Sequence, residues 1–347
     1  MRAVYIQSHG ESDSAILGER PDAPAPGPGE MRVRIAYAGF NHVDLYMRAD
    51  GRGFPHELPM VLGVDGAGIV EAVGDGVETV AAGDRVALYP ARYCEVCEFC
   101  LRGDQMLCLD FKCIGENIDG TMAEAITVKA NQAHRLPDHV PLRDGCVMGT
   151  AYITAWAMVM TAGSVRSSDT VLIHGVGGGA SLAALQFARI HGARVIVTSS
   201  SDAKLEKAIE MGAEAGINYR HEDVYKRVMA LTDRRGCDVV IDNVGEATWA
   251  TSMRCVIRGG RIVCCGATTG PMPGAHLQHL FFRQIHVVGV SIGNQQEFAD
   301  MLSALDRGLF APVIEESYAM DGALDALARL DRGEQFGKMV LEIGGQG

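Results

Sequence analysis

The sequence predicts an α/β protein in which a β-rich region precedes a doubly wound parallel sheet, and three observations support this fold class. Short strands with glycine turns fill the first part of the chain, for example at residues 61–80. From residue 169 onward, apolar strands alternate with helical stretches, which is the pattern of right-handed βαβ units. The first of these strands runs into a glycine-rich turn at residues 175–180 that opens a helix.

The β-rich region begins with short strands within residues 1–40. Residues 21–29 predict a loop, because their four prolines lack the N–H donors that a strand ladder needs. Residues 31–37 alternate between apolar and polar side chains and therefore predict a half-buried strand.

The α/β region continues the alternation to the end of the sheet. The expected strands lie at residues 170–174, 193–197, 238–241, 261–264 and 286–290, and the expected helices at 181–190, 204–211, 224–231 and 248–256. Two more helices, around 297–308 and 322–330, precede a closing strand at 338–343.

Composition narrows the class of protein. The chain has 347 residues, about the length of two domains, and 48% of them are hydrophobic, enough for a large core. Its net charge of −12 argues against a nucleic-acid partner. We find neither an apolar leader at the N-terminus nor an apolar run long enough to span a bilayer. Ten cysteines in a chain without a recognisable leader favour a reducing compartment. We therefore expect a cytoplasmic protein without a membrane partner.

The glycine-rich turn is the first candidate binding site. Gly177, Gly178 and Gly179 lie between an apolar strand and a helix, where bare backbone and the helix N-terminus can approach a pyrophosphate. A tight strand-to-helix turn without a ligand is the alternative. The flanking strand, helix and second strand favour dinucleotide binding.

The end of the second strand predicts which dinucleotide binds. NAD sites usually carry an acidic residue about 20 residues after the glycines, and Ser199 stands there, followed by Lys204. Hydroxyls and a lysine can hold a 2′-phosphate, so NADP(H) is expected, with NAD as the alternative. Asp202 weakens this argument, and Lys204 could also be a solvated residue of a helix's first turn.

Four closely spaced cysteines predict a metal site. Their pattern is Cys94-x2-Cys97-x2-Cys100-x7-Cys108. Four thiolates close a tetrahedral zinc site with no open position, so one structural zinc per chain is expected. An iron–sulfur cluster is the alternative. The other six cysteines lack such spacing.

Together these features resemble the medium-chain dehydrogenase/reductase superfamily, the group of zinc alcohol dehydrogenases and quinone oxidoreductases, over essentially the whole chain. The resemblance implies a GroES-like catalytic domain from residues 1–150 plus 291–347, with a zinc lobe at 90–113, and a Rossmann domain at 151–290. It rests on the four-cysteine lobe, the 175–180 turn and the motifs at residues 26–30, 63–68, 83–86, 154–156, 211–213 and 337–338.

The chain departs from the zinc alcohol dehydrogenases at their catalytic metal. Where they carry a ligating Cys and a proton-relaying Ser or Thr, this chain has Asn41 and Val43, and Val64 replaces their ligating His. Their third ligand falls near Thr150, with Cys146 close by. The resemblance therefore implies that the catalytic zinc is absent.

Residues 41–48 look instead like the Asn-x-x-Asp-x-Tyr-x-Arg stretch of the zinc-independent reductases, which reduce quinones or activated C=C bonds with NADPH. This makes Asn41, Asp44 and Tyr46 the candidate catalytic residues: the Asn41 amide and the Tyr46 phenol could donate to a developing enolate. Alternatively, Tyr46 is a packed aromatic residue and Asn41 a turn residue.

The resemblance also implies further cofactor contacts. Tyr219 would lie with Ser199 and Lys204 around the adenosine phosphate, and His42 would face the pyrophosphate. The remaining positions expected along the cofactor are Thr154, Asn243, Gly266, Ser291 and Lys338.

Two other functions stay open at this point. One is a zinc alcohol dehydrogenase whose site is rebuilt from His42, Asp44, Asp65 or Cys146. The other is a non-catalytic NADPH-binding protein. For the enzyme we expect a small-molecule substrate. We also expect a homodimer paired through an edge strand at residues 286–292, although a core strand would have the same sequence pattern.

Overall fold

The computed structural model describes residues 1–53 and 55–344. The chain divides into two compact units, Met1–Ala151 with Asn294–Gly347, and Tyr152–Gly293. No single helix among the described residues is long and apolar enough to cross a membrane, and the helical segments Leu142–Met148 and Ala151–Ala162 meet that criterion only when joined.

Among its described residues, the first unit has ten strands and three helices before the chain enters the second unit. The strands are β1 (Arg2–Ile6), β2 (Ala15–Glu19), β3 (Glu30–Gly39), β4 (Met60–Val61), β5 (Asp65–Val73), β6 (Arg85–Leu88), β7 (Ala91–Arg92), β8 (Lys112–Cys113), β9 (Ala125–Lys129) and β10 (Ala133–Arg135). The helices are α1 (His42–Ala49), α2 (Glu98–Leu101) and α3 (Leu142–Gly145), with single 3₁₀ turns between elements.

The second unit alternates strands and helices. In chain order it has α4 (Ala151–Trp156), continued by a π-helical turn to Ala162, then β11 (Thr170–Ile173), α5 (Gly179–Ile190), β12 (Arg194–Ser199), α6 (Asp202–Glu210), β13 (Ala215–Asn218), α7 (Val224–Leu231), β14 (Cys237–Asp242), α8 (Glu246–Cys255), β15 (Val256–Cys264), α9 (Leu277–Phe282) and β16 (His286–Gly289). The chain then returns to the first unit with α10 (Gln295–Asp306), β17 (Ile314–Ala319), α11 (Ala323–Asp331) and β18 (Lys338–Glu342).

The strands of the first unit form a β-rich structure. Its largest sheet has the order β10-β6-β5-β3-β18-β17, with β9 also pairing with β3, and smaller sheets join β2-β1-β4 and β7-β8. Along β3 the side chains of Met31, Val33 and Ile35 are fully buried, and the intervening arginines are only partly buried. The alternation predicted for residues 31–37 is therefore confirmed, in a strand that extends to Gly39.

The second unit is a parallel sheet of six strands in the order β13-β12-β11-β14-β15-β16. Its core includes Leu172, Ile196 and Val240, as expected for strands buried on both faces. The strand order reverses direction at β11, which is the pattern of a doubly wound sheet. The fold class predicted from the sequence is confirmed, and β16 lies at the edge of this sheet as expected.

Several elements differ from the sequence prediction. Helix α8 ends at Cys255, one residue early, because Val256 adopts extended backbone and begins β15. The elements that the sequence analysis missed include α1, α4, α9, β13 and β17. Strand β17 contains two consecutive glutamates in its first half and is mostly exposed, so it lacks the apolar alternation that would indicate a strand.

Candidate active site

The glycine turn is shaped by backbone that other residues rarely adopt. Gly175 and Gly177 have φ values of +66° and +125°, and Gly178 is the N-cap of α5, which begins at Gly179. A Cβ built on Gly177 would lie 2.7 Å from Cδ of Lys204, whereas one built on Gly178 would meet open space. The first-turn amides of α5 are therefore available to an anion, with the Lys204 side chain beside them.

The residues expected around an adenosine phosphate lie together. Ser199 ends β12, and its carbonyl accepts a hydrogen bond from the amide of Tyr219 at 3.2 Å. Lys204 lies in the first turn of α6, where Ser201 is the N-cap and its hydroxyl accepts from the Lys204 amide at 3.4 Å. The structure thus gathers Ser199, Lys204 and Tyr219 near the glycine turn.

Asp202, the acid that weakened the argument for NADP(H), has a partner within the fold. Its Oδ1 accepts from Nδ2 of Asn218 at 2.7 Å. Asn218 is buried at the end of β13 beside Ser199. This amide occupies one carboxylate oxygen of the only acid between Ser199 and Lys204.

A second group of predicted cofactor residues follows β14. Nδ2 of Asn243 donates to the Ser181 hydroxyl at 3.0 Å, and its Oδ1 is buried without a partner among the described residues. A Cβ on Gly266 would lie 2.5 Å from the Asn243 carbonyl, so this glycine allows two backbone segments to touch. The turn that bare glycines leave open and the orphaned Asn243 amide oxygen fit a dinucleotide.

Thr154 and Ser291, two further predicted cofactor residues, are neighbours. The Thr154 hydroxyl donates to the Ser291 carbonyl at 3.2 Å. This bond connects the start of the second unit, in α4, to the segment that follows its edge strand β16.

In the first unit, Asn41 and Asp44 form the start of helix α1. Asn41 is the N-cap, and its amide N–H donates to Oδ2 of Asp44 at 2.8 Å. Both residues are buried, and burial raises the pKa of Asp44 to about 7. His42, on the first turn, is exposed.

Lys338 lies in the same buried cluster as Asn41. It is the first residue of β18. Its ammonium donates to Oδ1 of Asn41 at 2.5 Å, to the carbonyl of Phe40 at 2.7 Å and to Oδ2 of Asp65 at 2.9 Å. Lys338 is 3% exposed and Asp65 is fully buried. The structure therefore brings Asn41, Asp44 and Lys338 together around Asp65.

Tyr46 lies apart from this hydrogen-bonded cluster. No hydrogen bond among the described residues joins it to Asn41, Asp44 or Lys338. Its ring is half-buried, and the Arg52 guanidinium lies over the ring, 4.1 Å from the centroid. Partial burial raises the pKa of the Tyr46 phenol above its ordinary value.

The last member of the 41–48 stretch, Arg48, has a structural role. Its buried guanidinium donates to Asp331 at 2.9 Å, which ties α1 to α11.

The four cysteines converge as predicted. Their sulfur atoms lie within 4.8 Å of one another, with 3.5 Å between Cys97 and Cys100 and 3.9 Å between Cys94 and Cys100. Four sulfurs placed about 2.3 Å from a tetrahedral zinc ion would be about 3.8 Å apart. The Cys108 sulfur also accepts from the amides of Cys94 and Asp110, as a metal-bound thiolate does. The cluster is compatible with zinc.

Cys146, a candidate for a rebuilt catalytic zinc site, is a buried thiol. Its Sγ donates to the Arg143 carbonyl at 3.1 Å, and burial raises its pKa well above the ordinary value. Among residues 1–53 and 55–344, the four-cysteine cluster is the only group of three or more His, Cys, Asp or Glu with ligand atoms close enough to share an ion.

The sequence analysis treated Asp65 only as a possible metal ligand and missed its ion pair with Lys338. One signal was present: Asp65 directly follows the apolar run at residues 60–64, so its carboxylate is carried into the core and needs a cation there.

Comparisons with known proteins agree with this architecture. The sequence model of the alcohol dehydrogenase GroES-like domain matches residues 27–138, and that of zinc-binding dehydrogenases matches residues 179–307. A quinone oxidoreductase of Pseudomonas aeruginosa is 31% identical over 98% of this chain and 99% of its own length.

Two solved structures share the fold along the whole chain. An NAD-dependent alcohol dehydrogenase is 35% identical with a TM-score of 0.94, covering 99% of this chain and 100% of its own. A cobalt- and zinc-bound thermostable alcohol dehydrogenase from Pyrobaculum aerophilum is 30% identical with a TM-score of 0.89, covering 99% of both chains. The chain therefore belongs to the medium-chain dehydrogenase/reductase superfamily and is an NAD(P)H-dependent oxidoreductase.

Proposed function

We propose that this enzyme uses NADPH to reduce a quinone or an activated C=C bond, such as that of an enone or enoyl thioester, without a catalytic zinc. The observation that carries the proposal is the buried cluster in which Lys338 donates to the side-chain oxygen of Asn41. By the family resemblance, Asn41 corresponds to a zinc-ligating cysteine of the alcohol dehydrogenases. The likeness to a quinone oxidoreductase supports the substrate class.

The second unit supplies the residues that would hold the cofactor. Gly177, Gly178 and Gly179 would meet the pyrophosphate through bare backbone and the N-terminus of α5. Ser199, Lys204 and Tyr219 would surround the 2′-phosphate, which distinguishes NADPH from NADH. The other residues of this unit proposed to contact the cofactor are Thr154, Asn243, Gly266 and Ser291. His42, which belongs to the first unit, is proposed from the family resemblance alone.

When bound, NADPH supplies a hydride. The chain's own side chains must then stabilise the negative charge that develops on the substrate and supply a proton. As the β-carbon of the substrate accepts the hydride, the C=C electron pair moves toward the carbonyl and an enolate forms. The Nδ2–H of Asn41 donates to the enolate oxygen, and the Tyr46 phenol, which stays protonated at neutral pH, supplies a proton to the α-carbon. Asp44 supports Asn41 because its carboxylate accepts a hydrogen bond from the Asn41 backbone amide.

Two observations support chemistry without a catalytic metal. Val64 is buried and has no ligand atom, and the Cys146 thiol is engaged by a backbone carbonyl. We assign zinc instead to Cys94, Cys97, Cys100 and Cys108, where four thiolates leave no position for a substrate.

We also propose a homodimer paired through β16. This strand ends the parallel sheet, so one row of its backbone groups is open to a second copy. Val287 on the strand is 43% exposed, and Phe281 and Phe282 on the preceding helix are also exposed. A second copy would cover this apolar surface.

The test is NADPH oxidation by quinones, enones and enoyl thioesters, followed in wild type and in variants. Asn41→Ala should lower kcat by about 10²-fold, the usual cost of losing an oxyanion donor, and Tyr46→Phe should lower it by at least about tenfold. Asn294→Ala, which removes the N-cap of α10, and Tyr225→Phe, another tyrosine under an arginine at 4.0 Å, are matched controls.

Wild-type protein that oxidises alcohols with NAD and reduces none of these acceptors would contradict the proposal and favour the alcohol dehydrogenase alternative. Unchanged kcat in both Asn41→Ala and Tyr46→Phe would remove these two residues from the mechanism. Binding of NADPH without any turnover would favour a non-catalytic protein.

A further inference from the structure

Lys338 uses all of its hydrogen-bond donors inside the first unit. An ammonium has three N–H groups and no acceptor. The three partners of Lys338 are the Phe40 carbonyl, the Asn41 side-chain oxygen and the Asp65 carboxylate, all within 2.9 Å. At 3% exposure the group is removed from water, so these bonds fix its position.

This arrangement determines which way the Asn41 amide points. Because an ammonium can only donate, the atom of Asn41 that faces it must be the oxygen, and the NH₂ group must point away. One Nδ2 hydrogen reaches the Gly39 carbonyl at 3.2 Å. The second hydrogen has no partner among the hydrogen bonds of the described residues.

Asp65 in turn holds Lys338, and the surrounding backbone leaves space for its carboxylate. A Cβ on Gly39 would lie 2.9 Å from Oδ2 of Asp65, and one on Gly149 would lie 3.0 Å from Oδ1. The Asp65 carbonyl accepts from the Thr121 hydroxyl at 2.6 Å, which fixes the backbone. The carboxylate is thus held where it neutralises the buried ammonium.

We propose that Lys338 and Asp65 are positioning residues that lock the Asn41 amide with its Nδ2–H toward the substrate oxygen. The proposal rests on the proposed function, since it deepens the role given to Asn41. It differs from the cofactor contact predicted for Lys338 from the family resemblance, because Lys338 acts here through Asn41.

The main variant removes both charges together, Lys338→Met with Asp65→Asn, because either change alone would leave a buried charge without its partner. Freed from the ammonium, the Asn41 amide can rotate. We expect kcat to fall by about tenfold to 10²-fold, while KM and the Kd for NADPH change by less than about twofold. Lys129→Met, which removes a partly exposed lysine paired with Glu30 at 3.1 Å, is the matched control.

A second variant, Asn41→Asp, tests donation alone. An aspartate can still accept from Lys338 but has no N–H to offer, so kcat should fall as far as in Asn41→Ala. Adding Asn41→Ala to the double variant should cost little more, because the amide is already misplaced. A Kd for NADPH that rises as much as kcat falls, or full additivity with Asn41→Ala, would overturn the proposal.

A readout without turnover separates this inference from the proposed function. The Asn41 side-chain NH₂ resonances of ¹⁵N-labelled protein should move in the double variant and stay in place in Lys129→Met. Asn41 NH₂ resonances whose chemical shifts are unchanged by the loss of Lys338 would overturn the positioning role. Failure of wild-type enzyme to reduce any quinone or enone would overturn the proposed function and leave this readout decisive for the orientation of Asn41.

Discussion

The side chain of Lys204 lies against the bare backbone of Gly177, so closely that a Cβ at position 177 would come within 2.7 Å of the Lys204 Cδ. One residue belongs to the turn after β11 and the other to the first turn of α6. Their contact places a lysine beside the N-terminus of α5, where an anion would be attracted by the helix amides as well. The cofactor predictions depend on this contact.

Gly177→Ala should weaken NADPH binding by at least about tenfold, which corresponds to about 1.4 kcal/mol. The new methyl group would displace Lys204, and the φ of +125° is strained for any residue with a Cβ. Fluorescence titration of NADPH measures the effect. Gly274→Ala is the control, because a Cβ there meets open space at an ordinary φ. Equal affinities in the two variants would contradict the assignment of this turn.

Lys204→Ala should reduce the preference for NADPH over NADH by about tenfold, since it removes one cation from the 2′-phosphate and leaves the rest of the dinucleotide site unchanged. The ratio of kcat/KM values for the two cofactors measures it. Lys207→Ala, an exposed lysine on the same helix, should leave the ratio unchanged. A preference that survives Lys204→Ala would show that another group reads the phosphate.

The pH dependence of stability should reveal Asp44. Burial raises its pKa to about 7, so between about pH 4 and pH 7 the folded protein holds a proton that the unfolded chain has released. The stability contributed by this carboxyl is therefore complete below about pH 4 and is lost as the pH rises through about 7.

Asp44→Asn removes this loss, because the amide does not ionise. Relative to wild type, the variant should gain free energy of unfolding between about pH 5 and about pH 8, as measured by urea denaturation. Asp325→Asn, a change at an exposed carboxyl, should show no such gain. The free energies of unfolding of Asp44→Asn and wild type could instead differ by the same amount at about pH 5 and about pH 8. That result would mean that Asp44 is already ionised at the lower pH.

Much of the fold followed from the sequence because local patterns were strong there. The strand predicted at 170–174 is β11, which ends one residue earlier, and the helix predicted at 224–231 is α7 with the same bounds, since apolar periodicity and turn residues agree. The missed helix α1 is held by an Asn41–Asp44 cap and by the pairing of Arg48 with Asp331, which is 283 residues away. Such distant contacts leave no local pattern.

The same contrast applies to the site. The spacing of the four cysteines predicts their cluster, and the flanking strand and helix indicate the function of the glycine turn. Lys338 and Asp65 are 273 positions apart, and their ion pair depends on β18 pairing beside β3 in the same sheet. Their relationship to Asn41 therefore required the tertiary structure.

The proposed dimer predicts that Val287→Lys yields monomers. A lysine on β16 would place two like charges near each other across a symmetric interface and would remove apolar contact. Size-exclusion chromatography with light scattering reports the mass. Ile209→Lys is a matched control, because Ile209 is 47% exposed, close to the 43% of Val287, but lies on α6. A wild-type monomer, or a Val287→Lys dimer, would contradict pairing through this strand.

The central claim is that hydride transfer here needs no catalytic zinc, and zinc content tests it most directly. Elemental analysis of protein purified without added metal should give about one zinc per chain, held by the four cysteines, and close to none after Cys97→Ser with Cys100→Ser. Cys255→Ala, at a buried cysteine outside the cluster, should keep the wild-type content. About two zinc ions per chain in wild type, with one remaining in the double variant, would contradict the claim and make alcohol oxidation the better account.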